Sequence, residues 1–199
     1  MRKIKEKRLI VGVSGASGAP IAMELLRALK QTELESHLVV TPGGWRTIAE
    51  ETGMTAQQVQ ALADVVHDVH DIGAPPASGG WRALGMVVVP CSMKTLAGIH
   101  SGYSDNLLLR AADVTLKERR KLVLVARECP MSTVHLRNQY ELSMMGAVIL
   151  PPVLSYYSHP KSLEDAARHL VGKILDQFGV EYSGFCRWGG TDGGEYRTE

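Results

Sequence analysis

The chain has 199 residues, 45% hydrophobic and 22% charged, with a formal net charge of +1. That length allows one domain with a full core, and the near-neutral balance argues against a broad nucleic-acid or membrane-surface footprint. No apolar run reaches membrane-spanning length, and Cys91, Cys129 and Cys186 have neither the even count nor the paired spacing of disulfides or a zinc knuckle. The basic start, Met1–Arg8, leads into an apolar stretch too short for a signal peptide. A reducing, cytoplasmic setting is expected.

In chain order, Leu9–Val13 reads as a strand, and Gly12, Gly15 and Gly18 punctuate the turn into a helix over Ala22–Leu29. Glycines permit a sharp turn and close backbone approach, while a helix start offers unpaired N–H groups and a positive dipole end, a combination suited to a phosphate. His37–Thr41 is a second strand; Pro42-Gly43-Gly44 reads as its break and Trp45–Glu51 as the next helix. A dinucleotide enzyme places an acid at the end of this strand, where Thr41 offers a hydroxyl, so a nicotinamide cofactor is disfavoured. Thr55 reads as the N-cap of a helix reaching Ala63; residues 65–72 alternate only in part, and 73–80 is a loop by composition.

Leu84–Pro90 is a third strand, apolar throughout, and runs into the small and hydroxylated residues Cys91–Thr95. Helix continues at Ala97–Ile99 and again over Asp105–Leu116, with Asp105 as the expected cap. Leu122–Ala126 is the fourth strand, Thr133–Met145 a helix and Ala147–Leu150 the fifth strand. Ser162–Asp165 has capping-box character before a helix reaching Phe178. One domain over residues 1–199 is expected, with 1–7 as an extension and 189–199 as a flexible tail beyond Trp188.

Alternating strands and helices predict an α/β fold with a doubly wound parallel sheet, whose ligands sit outside the carboxyl ends of the strands. Those ends carry Ser14–Gly18, Thr41, Cys91–Thr95 and Arg127–Glu128, which should converge on one pocket. Glycine-turn amides, the hydroxyls of Ser17, Thr41, Ser92 and Thr95, and the Arg127 guanidinium describe a site for a monophosphate on a polar sugar chain. Flavin mononucleotide fits that description. Each strand-end hydroxyl also reads as a simple helix cap. His67-Asp68-Val69-His70-Asp71 reads as a solvated polar segment rather than a metal cluster, and Cys91 as a small buried residue rather than a nucleophile.

Longer blocks go further. Val13–Ala19, Pro90–Leu96, Arg110–Arg120, Arg127-Glu128, Gly146–Pro151, Tyr157 with His159-Pro160, and Arg187-Trp188 resemble the UbiX family of flavin prenyltransferases from about Leu9 to Trp188. The resemblance implies a Rossmann-like, flavodoxin-type fold in a homododecamer. It implies transfer of a dimethylallyl group from dimethylallyl monophosphate to N5 and C6 of reduced FMN. The prenylated FMN would serve a UbiD-type decarboxylase, with no nucleic acid or membrane involved.

By the same resemblance, FMN contacts fall on Gly15, Ala16, Ser17, Thr41, Ser92, Met93, Lys94, Thr95 and Arg127. Lys117, Glu128, Tyr157 and Lys173 would hold the prenyl phosphate, with Arg110 close by. Glu128, Ser17 and Lys117 are the expected catalytic residues: Glu128 protonates the departing phosphate, Ser17 relays a proton and Lys117 stabilises the leaving charge. Lys173 stands where many members carry arginine, which keeps the charge and loses the bidentate fork. The chain lacks the paired DDxxD motifs of magnesium-dependent prenyl synthases, so no metal is expected. Two other readings are a flavin-carrier subunit of an aromatic acid decarboxylase and a phosphopantothenoylcysteine-decarboxylase-like flavoenzyme. Pro76-Ala77-Ser78-Gly79-Gly80 lacks the Asn-Thr that the second would need.

Overall fold

A computed structural model of the chain describes residues 7–185, 187 and 188; Cys186 and the tail expected beyond Trp188 lie outside the described residues. The first half runs β1 (Lys7–Val13), α1 (Ala19–Lys30), β2 (Leu34–Val40), α2 (Pro42–Thr52), α3 (Ala56–Gln60) and β3 (Val65–His67). The second half runs β4 (Gly85–Cys91), α4 (Met93–His100), α5 (Leu107–Lys117), β5 (Lys121–Ala126), α6 (Thr133–Met144), β6 (Val148–Ile149) and α7 (Leu163–Asp176). All pairings are parallel, in the order β3-β2-β1-β4-β5-β6. This is the doubly wound Rossmann order, and its direction reverses between β1 and β4.

Alternate residues of the central strands feed two apolar layers. Leu9, Val11 and Val13 of β1, with Val87 and Val89 of β4, pack beneath α1 and α7. Ile10, Met86, Val88, Leu122 and Leu124 face α4, α5 and α6 on the other side. Burial on both faces explains why these strands read as unbroken apolar runs. The three-residue edge strand β3 is the one the sequence does not reveal: none of its residues is fully buried, so no apolar run marks it.

Several boundaries differ from expectation, among them the ends of α3 at Gln60 rather than Ala63 and of α7 at Asp176 rather than Phe178. Strand β1 begins at Lys7, inside the expected extension. Pro42-Gly43-Gly44 forms the first turn of α2 rather than a break, with Thr41 as N-cap. Proline is at home at the first helical position, and a Cβ on Gly44 would lie 2.6 Å from the Val13 carbonyl oxygen, so glycine lets the helix start touch the end of β1. Helix α5 is capped by Asn106, which accepts from the Leu109 amide at 3.0 Å, rather than by Asp105.

A partly buried polar row, with His37 at its centre, crosses β2 and β3. Glu35 Oε2 lies 3.0 Å from His37 Nε2, and His37 Nδ1 lies 2.9 Å from His67 Nε2. A carboxylate only accepts, so His37 carries its hydrogen on Nε2 and takes another from His67. Trp81 closes the row edge-on against His37. Burial holds both histidines below the usual range, and the His37 hydrogen bond lowers Glu35. As pH falls through about 6.5 the unfolded chain takes up protons that the folded histidines resist, so stability declines. Urea unfolding at pH 7 and pH 5 is expected to show that loss, smaller in His67→Gln; an equal loss in both proteins contradicts the assignment.

Candidate functional site

The site is built where the sheet reverses. Ser14, 1% exposed, follows β1 and donates from its hydroxyl to the Pro90 carbonyl at 3.0 Å. The same oxygen accepts the Ser92 amide hydrogen at 2.8 Å, and the Ser14 amide donates to Pro90 at 3.2 Å. On the other flank the Thr41 amide donates to the Val13 carbonyl at 3.0 Å. The carboxyl ends of β1, β2 and β4 are thereby held side by side.

Two helices start at this junction. Thr41 caps α2 by accepting from Gly44, and Ser92 caps α4 by accepting from Thr95 at 3.2 Å. The amides of Gly43, Met93 and Lys94 lie in first turns and have no carbonyl within their own helices. The start of α1 differs from the expectation of open amides: Gly18 and Ala19 both donate to Glu51 Oε2, at 2.9 and 2.8 Å. A carboxylate of the chain itself already occupies that positive helix end, leaving α2 and α4 to receive an anion.

Between them lies a cleft of about 720 Å³, lined at one end by Gly15, Thr41, Gly43, Ser92, Lys94 and Thr95. Gly15 and Gly43 face each other backbone to backbone, and a Cβ on Gly15 would sit 3.1 Å from Gly43 Cα, so no side chain intrudes here. The cleft follows α4 to a second end at His100, Tyr103, Asn106, Arg137 and Asn138, none of which the sequence singled out. Asn138 is 5% exposed, with its Oδ1 buried and unpartnered. Hydroxyls, first-turn amides, a lysine and an unmet amide oxygen can hold a ligand with a phosphate at one end and hydrogen-bonding groups along its length. Burial pushes the Cys91 thiol far up, so it carries no nucleophilic thiolate. Among the described residues no cluster of His, Cys, Asp or Glu could hold a metal ion, the segment 67–71 included. No described helix is long and apolar enough to cross a membrane.

A family model described as Flavoprotein matches residues 1–177. The flavin prenyltransferase UbiX of Escherichia coli strain K12 is 50% identical over 187 residues, covering 92% of this chain and 99% of that protein. The chain belongs to the UbiX-like flavin prenyltransferases. Two solved UbiX-like structures share its fold. One, described as AnUbiX (PadA1) in complex with FMN and dimethylallyl pyrophosphate, superposes with a TM-score of 0.91 at 50% identity, covering 92% of this chain and 98% of the other. The other, a dodecameric FMN-dependent UbiX-like decarboxylase from Escherichia coli O157:H7, gives 0.90 at 50% identity, covering 92% and 100%.

In this UbiX-like chain the strand-end residues converge only in part. Gly15, Thr41, Ser92, Lys94 and Thr95 line the cleft, whereas Ala16, Ser17, Met93 and Arg127 lie on the same sheet edge outside its lining. Arg127 is tied to that edge by its amide, which donates to the Cys91 carbonyl at 3.1 Å. Glu128 accepts the Cys129 amide at 3.1 Å and pairs with no cation among the described residues. Arg110 is engaged by Asp113 at 2.7 Å.

Lys117 lies elsewhere. Helix α5 begins beside Val69, past the carboxyl end of β3, and its 11 residues carry Lys117 about 16 Å towards the amino edge of the sheet. There Lys117 pairs with Glu118 beside Gly79. Arg120 donates to the Trp81 carbonyl next to it, and Trp81 lies under Arg8 at the start of β1. Tyr157 and Lys173 form a third group around α7. Phe185 lies across Gly172, where a Cβ would come within 2.3 Å of it, and the Lys173 ammonium sits 5.3 Å from that ring.

Ser14→Ala leaves the Ser92 amide without its acceptor, and a loss of about 1–2 kcal/mol is expected in urea unfolding together with weakened FMN binding. Unchanged stability and affinity contradict the clamp.

Proposed function

We propose that this chain catalyses prenyl transfer from dimethylallyl monophosphate to reduced FMN, giving phosphate and the prenylated flavin that a UbiD-type decarboxylase consumes. The observation that carries the reading is the cleft at the sheet reversal, whose glycines, capped helix starts and hydroxyls fit a flavin phosphate and its polar chain. Gly15, Thr41, Ser92 and Thr95 would hold the phosphate end, with Lys94 beside them and Met93, Ala16, Ser17 and Arg127 bordering the rest of the cofactor. Bound there, reduced FMN supplies a nucleophilic N5 and C6.

The protein's own work falls on the departing phosphate. Heterolysis of the allylic C–O bond leaves negative charge on phosphate oxygen, and preorganised cations stabilise it without a metal. Lys117, Lys173 and Arg110 are those cations, and Tyr157 adds a hydroxyl donor. Glu128 hands a proton to the leaving phosphate and removes one during ring closure; exposed Ser17 is the relay beside the flavin. Lys117 sits at the sheet edge opposite the cleft of its own chain. The reading therefore takes Lys117 from a second copy, as an assembly resembling the dodecameric relative permits, so that cleft and cations meet between chains.

Anaerobic incubation with reduced FMN and dimethylallyl monophosphate is expected to raise the flavin mass by one C5 unit. FMN-loaded protein that leaves the mass unchanged contradicts the reading and favours a carrier subunit. Glu128→Gln is expected to bind FMN normally and to slow transfer by about 10²–10⁴-fold. Near-normal turnover removes Glu128 from proton transfer.

A further inference from the structure

Tyr157 and Lys173 are joined through His169, which touches the phenol directly and the lysine by way of Phe185. His169 lies on α7, one turn before Lys173, and is 4% exposed. Its Nε2 stands 3.4 Å from the Tyr157 hydroxyl, and the two rings meet edge to face at 5.6 Å. Phe185, which lies against the Lys173 ammonium, tilts against the imidazole at 5.2 Å. His169 Nδ1 is buried with no hydrogen-bond partner.

The orphaned nitrogen decides the tautomer. Burial first, and Lys173 second, hold His169 below the usual histidine range, so the ring is neutral and carries one hydrogen. A buried N–H without an acceptor is the costlier omission, and an unmet lone pair the lesser one. The hydrogen therefore belongs on Nε2, where the Tyr157 oxygen accepts it. The phenol then keeps its own O–H to donate, and a hydroxyl that accepts a hydrogen bond is polarised into a stronger donor.

We propose that His169 is a positioning residue for prenyl transfer: its Nε2–H fixes the Tyr157 phenol so that the phenolic O–H and the Lys173 ammonium are presented together to the departing phosphate. The proposal rests on the reading of Tyr157 and Lys173 as phosphate ligands. One helix would thus set the register of both donors, with Trp188, edge-on to Tyr157 at 5.4 Å, bracing the phenol as well.

The test is a double-mutant cycle on the assembled, FMN-loaded protein, reading kcat/KM for dimethylallyl monophosphate, FMN affinity and thermal midpoint. His169→Phe keeps an aromatic ring and is expected to lower kcat/KM by roughly fivefold to tenfold, the loss of one hydrogen bond, without changing FMN affinity. Tyr157→Phe is expected to be as damaging alone and nearly silent in the His169→Phe background. His169→Gln, whose amide also offers an N–H, is expected to recover much of the loss, and carries the cycle if His169→Phe fails to assemble. Imidazole ¹⁵N shifts are expected to place the hydrogen on Nε2. Additive losses, full activity in His169→Phe, or a hydrogen on Nδ1 overturn the proposal. A silent Tyr157→Phe in an active enzyme overturns both the proposal and the reading of Tyr157 beneath it; additive losses overturn only the role of His169.

Discussion

The fold and its site both depend on the small set of hydrogen bonds that ties the end of β1 to the end of β4. Parallel strands deliver their carboxyl ends to one edge, and at the point where strand order reverses the following segments leave in opposite directions, opening a crevice. Ser14 spans that crevice at its base, using both donor and acceptor capacity of a single hydroxyl on Pro90 and Ser92. Thr41 repeats the device one strand over by bonding Val13. With these ends clamped, the starts of α2 and α4 are fixed relative to each other, and the cleft between them inherits its shape from the sheet.

Competition for positive helix ends then decides which of them serves a ligand. Of the three helices that begin beside the crevice, α1 spends its first amides on Glu51. That carboxylate docks α2 against α1 and stabilises the start of the first helix through its dipole. It also means that the glycine-rich turn contributes Gly15 to the cleft through close backbone approach rather than through the helix behind it.

Much of this was legible in the chain. The buried strands announce themselves because burial on both faces demands apolar residues throughout, and Ser92, Thr55 and Ser162 read correctly as caps because capping is a local bargain between a hydroxyl and an amide three residues on. The start of α2 was not legible, because Pro-Gly-Gly signals a break locally while the need for Gly44 comes from a contact with β1. Short β3 pairs at an edge without burying a side chain fully, so no apolar run marked it. The block Arg110–Arg120 was readable as a motif, but a motif does not say which end of its helix faces which sheet edge. His169 carried no signal at all, since a histidine on an apolar helix face looks the same whether it is packing or oriented for work.

One chain thus displays a cleft of glycines, hydroxyls and first-turn amides at one edge of its sheet, a lysine at the opposite edge, and Tyr157 and Lys173 beside α7; the proposed reaction needs all three at one flavin. Subunit mixing tests this most directly. Thr41→Val disables the cleft and Lys117→Ala removes the distant cation, and homogeneous preparations of either are expected to be nearly inactive. Co-assembled in one oligomer, the two variants are expected to recover a substantial fraction of prenyl transfer, because some sites then pair an intact cleft with an intact lysine from another copy. Mixed oligomers as inactive as the separate variants would contradict a site completed between chains.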